Sequence, residues 1–65
     1  MPYKEGSYVM VKLSADTMFK FGYLVKIFKG DNDYGILHKV MFTNRVNYIN
    51  WFHFCQESEM IMEVV

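Results

Sequence analysis

Cysteine is almost absent from this chain, since Cys55 is its one thiol among 65 residues. A single thiol excludes an intramolecular disulfide, the usual support of very small secreted domains. A chain of this length buries only about 60% of the surface that it exposes when unfolded, so its margin of stability is small. The support must come from bulky side chains, and hydrophobic residues do make up 52% and aromatic residues 18% of the sequence.

An excess of charge is also absent, because seven basic and seven acidic residues give a formal net charge of zero. A dedicated nucleic-acid binder usually carries a basic excess, which supplies most of its affinity for phosphates. No apolar run approaches the roughly 20 residues of a membrane-spanning helix, and the first residues, "MPYKEGSY", lack the apolar segment of a signal peptide. With the lone thiol, these absences predict a cytoplasmic protein with no membrane partner.

No repeat, linker or low-complexity tract divides the chain, so residues 1–65 predict a single domain. Catalytic patterns are missing as well: there is no Ser-His-Asp arrangement, phosphate-cradling glycine loop or paired-carboxylate signature. Asp31 and Asp33 lie in a turn and lack the glycine and distant glutamate of a calcium loop. The sequence therefore predicts no enzyme activity and no cofactor.

Alternation of side chains is the main positive signal, and over residues 6–35 it has the period of a β-strand. Residues 8–13 predict the first strand, with Val9, Val11 and Leu13 on one face. Residues 18–28 predict the second, in which Gly22 indicates a bulge or a sharp coil. One face of that strand carries Phe19, Phe21, Tyr23, Val25 and Ile27, and the other carries Lys20, Gly22, Leu24, Lys26 and Phe28.

The strongest turn signal is "KGDND", residues 29–33, because glycine tolerates positive φ and Asp or Asn side chains bond to nearby backbone amides. It predicts a β-hairpin over residues 18–42, with the third strand at 34–42.

Residues 46–55 predict a fourth strand, and residues 60–65 a short final one. The alternative for residues 46–63 is a helix, since Ile49, Phe52 and Gln56 stand at roughly helical spacing. The aromatic and asparagine-rich composition favours the strand.

Five short strands joined by tight turns predict an all-β fold, a small and strongly bent antiparallel barrel, with a short helix or 3-10 turn near the C-terminus. The segments "EGSYVMVKL", "FKFGYLVKIFK", "DYGILHKVMF" and the stretch around "NWFHF" together resemble the SH3-like barrel group, which includes Tudor, KOW and chromo-barrel modules. In that group a glycine precedes a Val-x-Val strand, and a second strand with a glycine leads into a hairpin. The resemblance spans most of the chain and implies a five-stranded barrel that binds a partner. The composition also resembles that of small accessory proteins of bacteriophages.

His38, His53 and Cys55 are the candidate metal ligands. His53 and Cys55 would point the same way on a strand, with His38 on a neighbouring strand, and with a fourth group they could hold zinc. Zinc sites usually show a close pair of cysteines, and buried cysteine is common without a metal. The sequence therefore favours ordinary structural residues and no metal. A nucleophilic Cys/His pair is a still weaker alternative.

The aromatic residues are too many for so small an interior, so part of them should form an exposed binding patch. The candidates lie on the more polar face of their strand or beside a turn: Tyr8, Met10, Phe28, Tyr34, Tyr48 and Trp51. The alternative is that they close the open ends of the barrel.

Lysines recur on the predicted outward faces of the first three strands and, beside the aromatic residues, could contact single-stranded nucleic acid; they are Lys12, Lys20, Lys26, Lys29 and Lys39. The commoner role of such lysines is to prevent aggregation through strand edges.

The leading hypothesis is a stand-alone, non-enzymatic protein-binding module, an inhibitor or adaptor that acts through the aromatic patch or through an open sheet edge. A second copy of the chain could be the partner, which would make a homo-oligomer. A nucleic-acid-binding barrel is the alternative.

Overall fold

The structure, a computed structural model, describes residues 3–31 and 35–64. It contains one five-stranded antiparallel sheet with the strand order β4-β3-β2-β1-β5. The strands are β1 (Tyr8–Val11), β2 (Lys20–Lys29), β3 (Ile36–Thr43), β4 (Asn50–Gln56) and β5 (Met60–Glu63), and a 3-10 turn, Glu57–Glu59, joins β4 to β5. The predicted all-β class, the five antiparallel strands and the short turn near the C-terminus are thus confirmed.

The predicted hairpin of the second and third strands is also confirmed. Lys29 pairs with Ile36 at its closed end, and the backbone N–H of Gly30 donates to the carbonyl of Gly35 at 2.6 Å. The tip of this hairpin, residues 32–34, lies outside the described residues, and so does the candidate Tyr34.

The alternative prediction of a helix over residues 46–63 is wrong. The middle of this segment forms β4, and its one helical part is the 3-10 turn. β4 begins later than predicted, since Asn44 organises a turn before it. The Asn44 side chain accepts hydrogen bonds from the backbone N–H groups of Val46 (2.8 Å) and Asn47 (3.3 Å), the usual role of asparagine in turns. No helix in the described ranges is long enough to cross a membrane.

One face of the sheet, the inner face, holds the core. All five strands contribute to a single buried cluster, so the sheet must curl around it. The first strand follows its predicted pattern, with Val9, Val11 and the following Leu13 buried. The cluster consists of Val9, Val11, Leu13, Leu24, Val40, Phe42, Cys55 and Met60. Of these, Phe42 alone is aromatic.

Gly22 lies where two strands approach each other closely. A Cβ atom at this position would stand 2.5 Å from the carbonyl oxygen of Met41 and 2.8 Å from Cγ1 of Val40. Glycine therefore lets β3 pack its core residues directly against the β2 backbone.

The bulge considered for Gly22 lies elsewhere in β2. Gly22 pairs regularly with Val9, and the register shifts between Leu24 and Lys26. Because a bulge adds one residue, it reverses the alternation of side chains beyond it. Ile27 consequently joins the inner face, opposite His38, and does not share a face with Phe21 as the sequence predicted.

We expect the substitution Gly22→Ala to lower the free energy of unfolding by about 1–3 kcal/mol, because the new methyl group meets a backbone carbonyl that cannot rotate away. Urea denaturation followed by circular dichroism measures this loss. The control Ser58→Ala, in the exposed part of the 3-10 turn, should stay within about 0.5 kcal/mol. Unchanged stability in Gly22→Ala would contradict the close approach of β2 and β3.

Candidate functional site

The second face of the sheet, the outer face, carries rows of large apolar side chains that run across the strands. Tyr8 pairs with Tyr23, which pairs with Met41, which pairs with Phe52, so one row crosses β1 to β4. In the next row, Met10 lies between Phe21 on β2 and Met62 on β5. Within the described ranges, no second sheet or helical layer covers this face.

These side chains are about half open to solvent: Phe21 is 46% exposed, Tyr23 52%, Phe52 48% and Phe54 51%. A buried aromatic side chain removes roughly 150–250 Å² from water, so four half-exposed rings leave roughly 300–500 Å² of apolar surface. Met62 (50%) and Val25 (44%) add to it. Such an area equals the largest patches of typical monomers, which are often functional.

The rings of the outer face support one another. The centroid of the Tyr8 ring lies 4.9 Å from that of Tyr23 and 6.0 Å from that of Phe21. Phe28 meets Phe54 edge to face at 5.7 Å. Because these contacts already restrict the rings, a partner would lose little side-chain entropy by binding them.

Two lysines stand directly opposite each other on the same face. Lys26 pairs with Lys39 across β2 and β3, and the Nζ atom of Lys39 lies 4.6 Å from the centroid of the Phe52 ring. Like charges in such a pair repel each other. No strand position described on the outer face carries an acidic residue to offset them. The face is therefore apolar with a small positive centre.

The other predicted lysines lie apart from this pair. Lys20 occupies the inner-face register, opposite Val11, and its Nζ atom forms an ion pair with Asp16 at 3.2 Å. Lys12 donates to the backbone carbonyl of Asp16. Hydrogen bonds from the Met18 backbone and from Lys20 lower the pKa of Asp16.

Lys29 ends β2 in register with Ile36. The five lysines thus do not form one continuous basic surface.

The structure places the candidates predicted for the binding patch in three settings. Tyr8, Met10 and Phe28 are partly buried on the outer face. Tyr48 is 79% exposed in the loop before β4. Trp51 lies in the inner-face register and stacks on Phe42 at 4.6 Å.

Trp51 also helps to line a cleft of about 480 Å³ at the edge of the sheet. Its apolar lining includes Met18, Phe19 and Phe21, and its basic lining is Lys20 and Arg45. Since Phe21 belongs to both surfaces, aromatic residues continue from the outer face around to Trp51.

Sequence reasoning missed most of the outer face because it assumed that the more polar side of each strand points to solvent. In β2 and β4 the reverse holds, with Leu24 and Cys55 buried while the aromatic residues beside them are exposed. Side-chain size could have identified the outer face. In β2, Gly22 and Leu24 alternate with aromatic side chains, whose rings a narrow interior cannot hold. The residues missed are Phe21, Tyr23, Met41, Phe52, Phe54 and Met62.

A polar cluster around Glu59 lies at the inner side of the 3-10 turn. The Glu59 side chain accepts hydrogen bonds from the backbone N–H (2.9 Å) and hydroxyl (3.2 Å) of Ser14 and from the backbone N–H of Gln56 (2.9 Å). Nε2 of His53 lies 3.8 Å from its Oε2. Burial raises the pKa of Glu59, but these hydrogen bonds and His53 outweigh that effect and leave the pKa below its ordinary value.

Cys55 and His38 lie opposite each other on β4 and β3. Burial, reinforced by the charge of Glu59, raises the pKa of the Cys55 thiol to about 12, which opposes a nucleophilic role. The ring of His38 is buried, with Nδ1 3.1 Å from the carbonyl oxygen of Cys55 and an edge-to-face contact with Tyr3. Of the three ligand candidates, the structure brings His53 and Cys55 together, and Glu59 takes the place given to His38.

Comparison of the chain with protein-family models, curated proteins and solved structures finds no match. The resemblance to SH3-like barrels therefore stays a prediction. The function has to be argued from the surfaces of this molecule.

We expect Glu59→Gln to lower the free energy of unfolding at pH 7 by about 1–3 kcal/mol, because a neutral amide accepts the same hydrogen bonds less strongly. A carboxylate whose pKa is lowered in the folded state stabilises the fold above its unfolded pKa, and this contribution is lost as the pH falls through the folded pKa. Urea denaturation in metal-free buffer from pH 7 down to pH 3 should show a steeper acid loss for the unaltered protein than for Glu59→Gln. Glu57→Gln, in the exposed part of the turn, is the control. Equal losses in both variants would contradict the structural role of Glu59.

Proposed function

We propose that the protein is a non-enzymatic binding module that holds another protein against the outer face of its sheet. The observation that carries this proposal is the pair of cross-strand rows that contain Tyr23, Phe52, Phe21 and Met62. An inhibitor or an adaptor would both act in this way, by occupying a surface of the partner.

The residue types support a protein partner. Tyrosine, phenylalanine and methionine are enriched in the cores of protein interfaces, and rings held by neighbouring rings resemble the anchors that carry most binding energy. One side of a standard interface covers about 800 Å². The half-exposed rings, the methionines of the two rows and the cleft beside Trp51 offer an area of that order.

The lysine pair indicates which charged groups the partner should carry. Lys26 and Lys39 repel each other across the strands, so a carboxylate placed between them would relieve that repulsion and form charge-assisted hydrogen bonds. The partner should therefore present an apolar surface with one or two acidic side chains near its centre.

The contact between Lys39 and Phe52 also supports the alternative, a surface that stacks bases and neutralises phosphates. Against it stand the zero net charge and the engagement of Lys12 and Lys20 by Asp16. A phosphate-driven complex would also weaken steeply between about 50 and 200 mM salt. A second copy of the chain is a further partner that the same apolar rows would suit.

Site-specific photo-crosslinking tests the proposed face. A photo-reactive phenylalanine analogue in place of Tyr23 or Phe52 should give a discrete protein adduct in a lysate of the organism that encodes the chain. The same analogue in place of Glu57, which is exposed in the 3-10 turn and not on a strand, should give none. The adduct should persist between about 50 and 200 mM salt, and an adduct of twice the chain mass identifies a second copy.

Equal labelling from position 57 would contradict the proposed face. Nucleic-acid adducts that disappear in this range of salt would favour the alternative.

The charge of the partner is tested by Lys39→Glu, which places a carboxylate where the partner should present one. We expect the adduct formed from position 23 to weaken by about tenfold, equivalent to about 1.4 kcal/mol. The matched control is Lys29→Glu, since Lys29 lies in register with Ile36 and off the outer face. Equal adduct yields from the two variants would show that the partner presents no carboxylate to Lys39.

A further inference from the structure

Three side chains with metal-binding atoms converge beside the 3-10 turn. The ring nitrogens of His53, Sγ of Cys55 and the carboxylate of Glu59 each offer a ligand atom, and these atoms lie within 4.8 Å of one another. The shortest contact recorded among them is the 3.8 Å between Nε2 of His53 and Oε2 of Glu59. Imidazole nitrogen, thiolate sulfur and carboxylate oxygen are the donors that bind zinc in proteins.

The local fold explains why the three donors meet. His53 and Cys55 are two residues apart on β4, so their side chains share the inner face. The 3-10 turn, Glu57–Glu59, then reverses the chain. That reversal brings the Glu59 carboxylate back over the end of β4, where it lies against His53.

The separations are close to those of a tetrahedral site. Zinc bonds of about 2.0–2.3 Å place neighbouring ligand atoms roughly 3.3–3.7 Å apart. Separations of up to 4.8 Å therefore need to shorten by up to about 1.5 Å. His53 can supply this movement, because it is only partly buried and stands on an edge strand.

The surroundings supply the other features of a metal site. Glu59 is held by hydrogen bonds from Ser14 and Gln56, as ligating carboxylates usually are. A cavity of about 320 Å³ is lined by Ser14, His53, Gln56 and Glu59, among others. It gives an ion access to His53 and Glu59, beside the buried Cys55, and leaves room for water as a fourth ligand.

We propose that His53, Cys55 and Glu59 bind a zinc ion, with water from the cavity completing the tetrahedron. Formation of the Zn–S bond releases the thiol proton to solvent, because the charge of the bound ion stabilises the thiolate that burial alone would disfavour. No oxidation or reduction is involved. The ion would tie β4 to the turn that leads into β5, and it would support a small domain that has no disulfide. The three ligands lie off the outer face, and the proposal does not rest on the proposed function of that face.

Addition of zinc chloride to the reduced, chelator-treated protein tests the proposal directly. Competition with a chromophoric chelator should show one zinc per chain. The melting temperature should rise by about 10–20 °C when free zinc is roughly a hundredfold above Kd. An unchanged melting temperature, or no competition with the chelator, would overturn the proposal.

Variants test the three ligands separately. His53→Ala and Glu59→Gln should each weaken zinc binding at least about tenfold, whereas Glu57→Gln in the same turn should bind as the unaltered protein does. Cobalt in place of zinc should give a thiolate-to-metal absorption band that is missing in Cys55→Ala. Circular dichroism checks that each variant is folded. Unaltered affinity in folded His53→Ala, or a cobalt band that persists in Cys55→Ala, would refute the assigned ligands.

Discussion

A single sheet has two faces, and a chain of this length can enclose only one of them. The five strands curl so that one face closes around a small cluster of aliphatic residues. No other strand or helix within residues 3–31 and 35–64 lies over the other face. Large apolar side chains occupy it all the same, and burial of such side chains is the dominant favourable term in folding and in association. We propose that a partner protein covers this surface.

The curvature of the sheet depends on a small residue on its inner face. Gly22 lets the β2 backbone approach Val40 and Met41 so closely that any side chain would collide with them. Phe21 and Tyr23, on either side of it, must then point outward, because successive residues of a strand face opposite sides. The tight inner face and the aromatic outer face are therefore consequences of the same packing. The bulge after Leu24 reverses this alternation, so that Ile27 lies on the inner face.

The C-terminal part of the sheet depends on Glu59. Its carboxylate binds Ser14 and Gln56, and the carbonyl of the same residue accepts a hydrogen bond from Lys12. One residue thus ties the start of β5 to the end of β4 and to the segment after β1. The same convergence places His53 and Cys55 beside it, so a structural contact and a candidate metal site share one set of atoms.

The sequence by itself determined the strands, because alternation and turn residues act over a few neighbouring positions. Val9 and Val11, the hairpin around Gly30 and the break at "QESE" were all readable in this way. Only the tertiary structure decided which side of β2 and of β4 faces the core. That choice depends on how closely β2 and β3 approach at Gly22, and on a register shift that depends on pairing between strands. It also decided that Glu59, not His38, joins His53 and Cys55, since a ligand set forms from residues that the folded chain brings together.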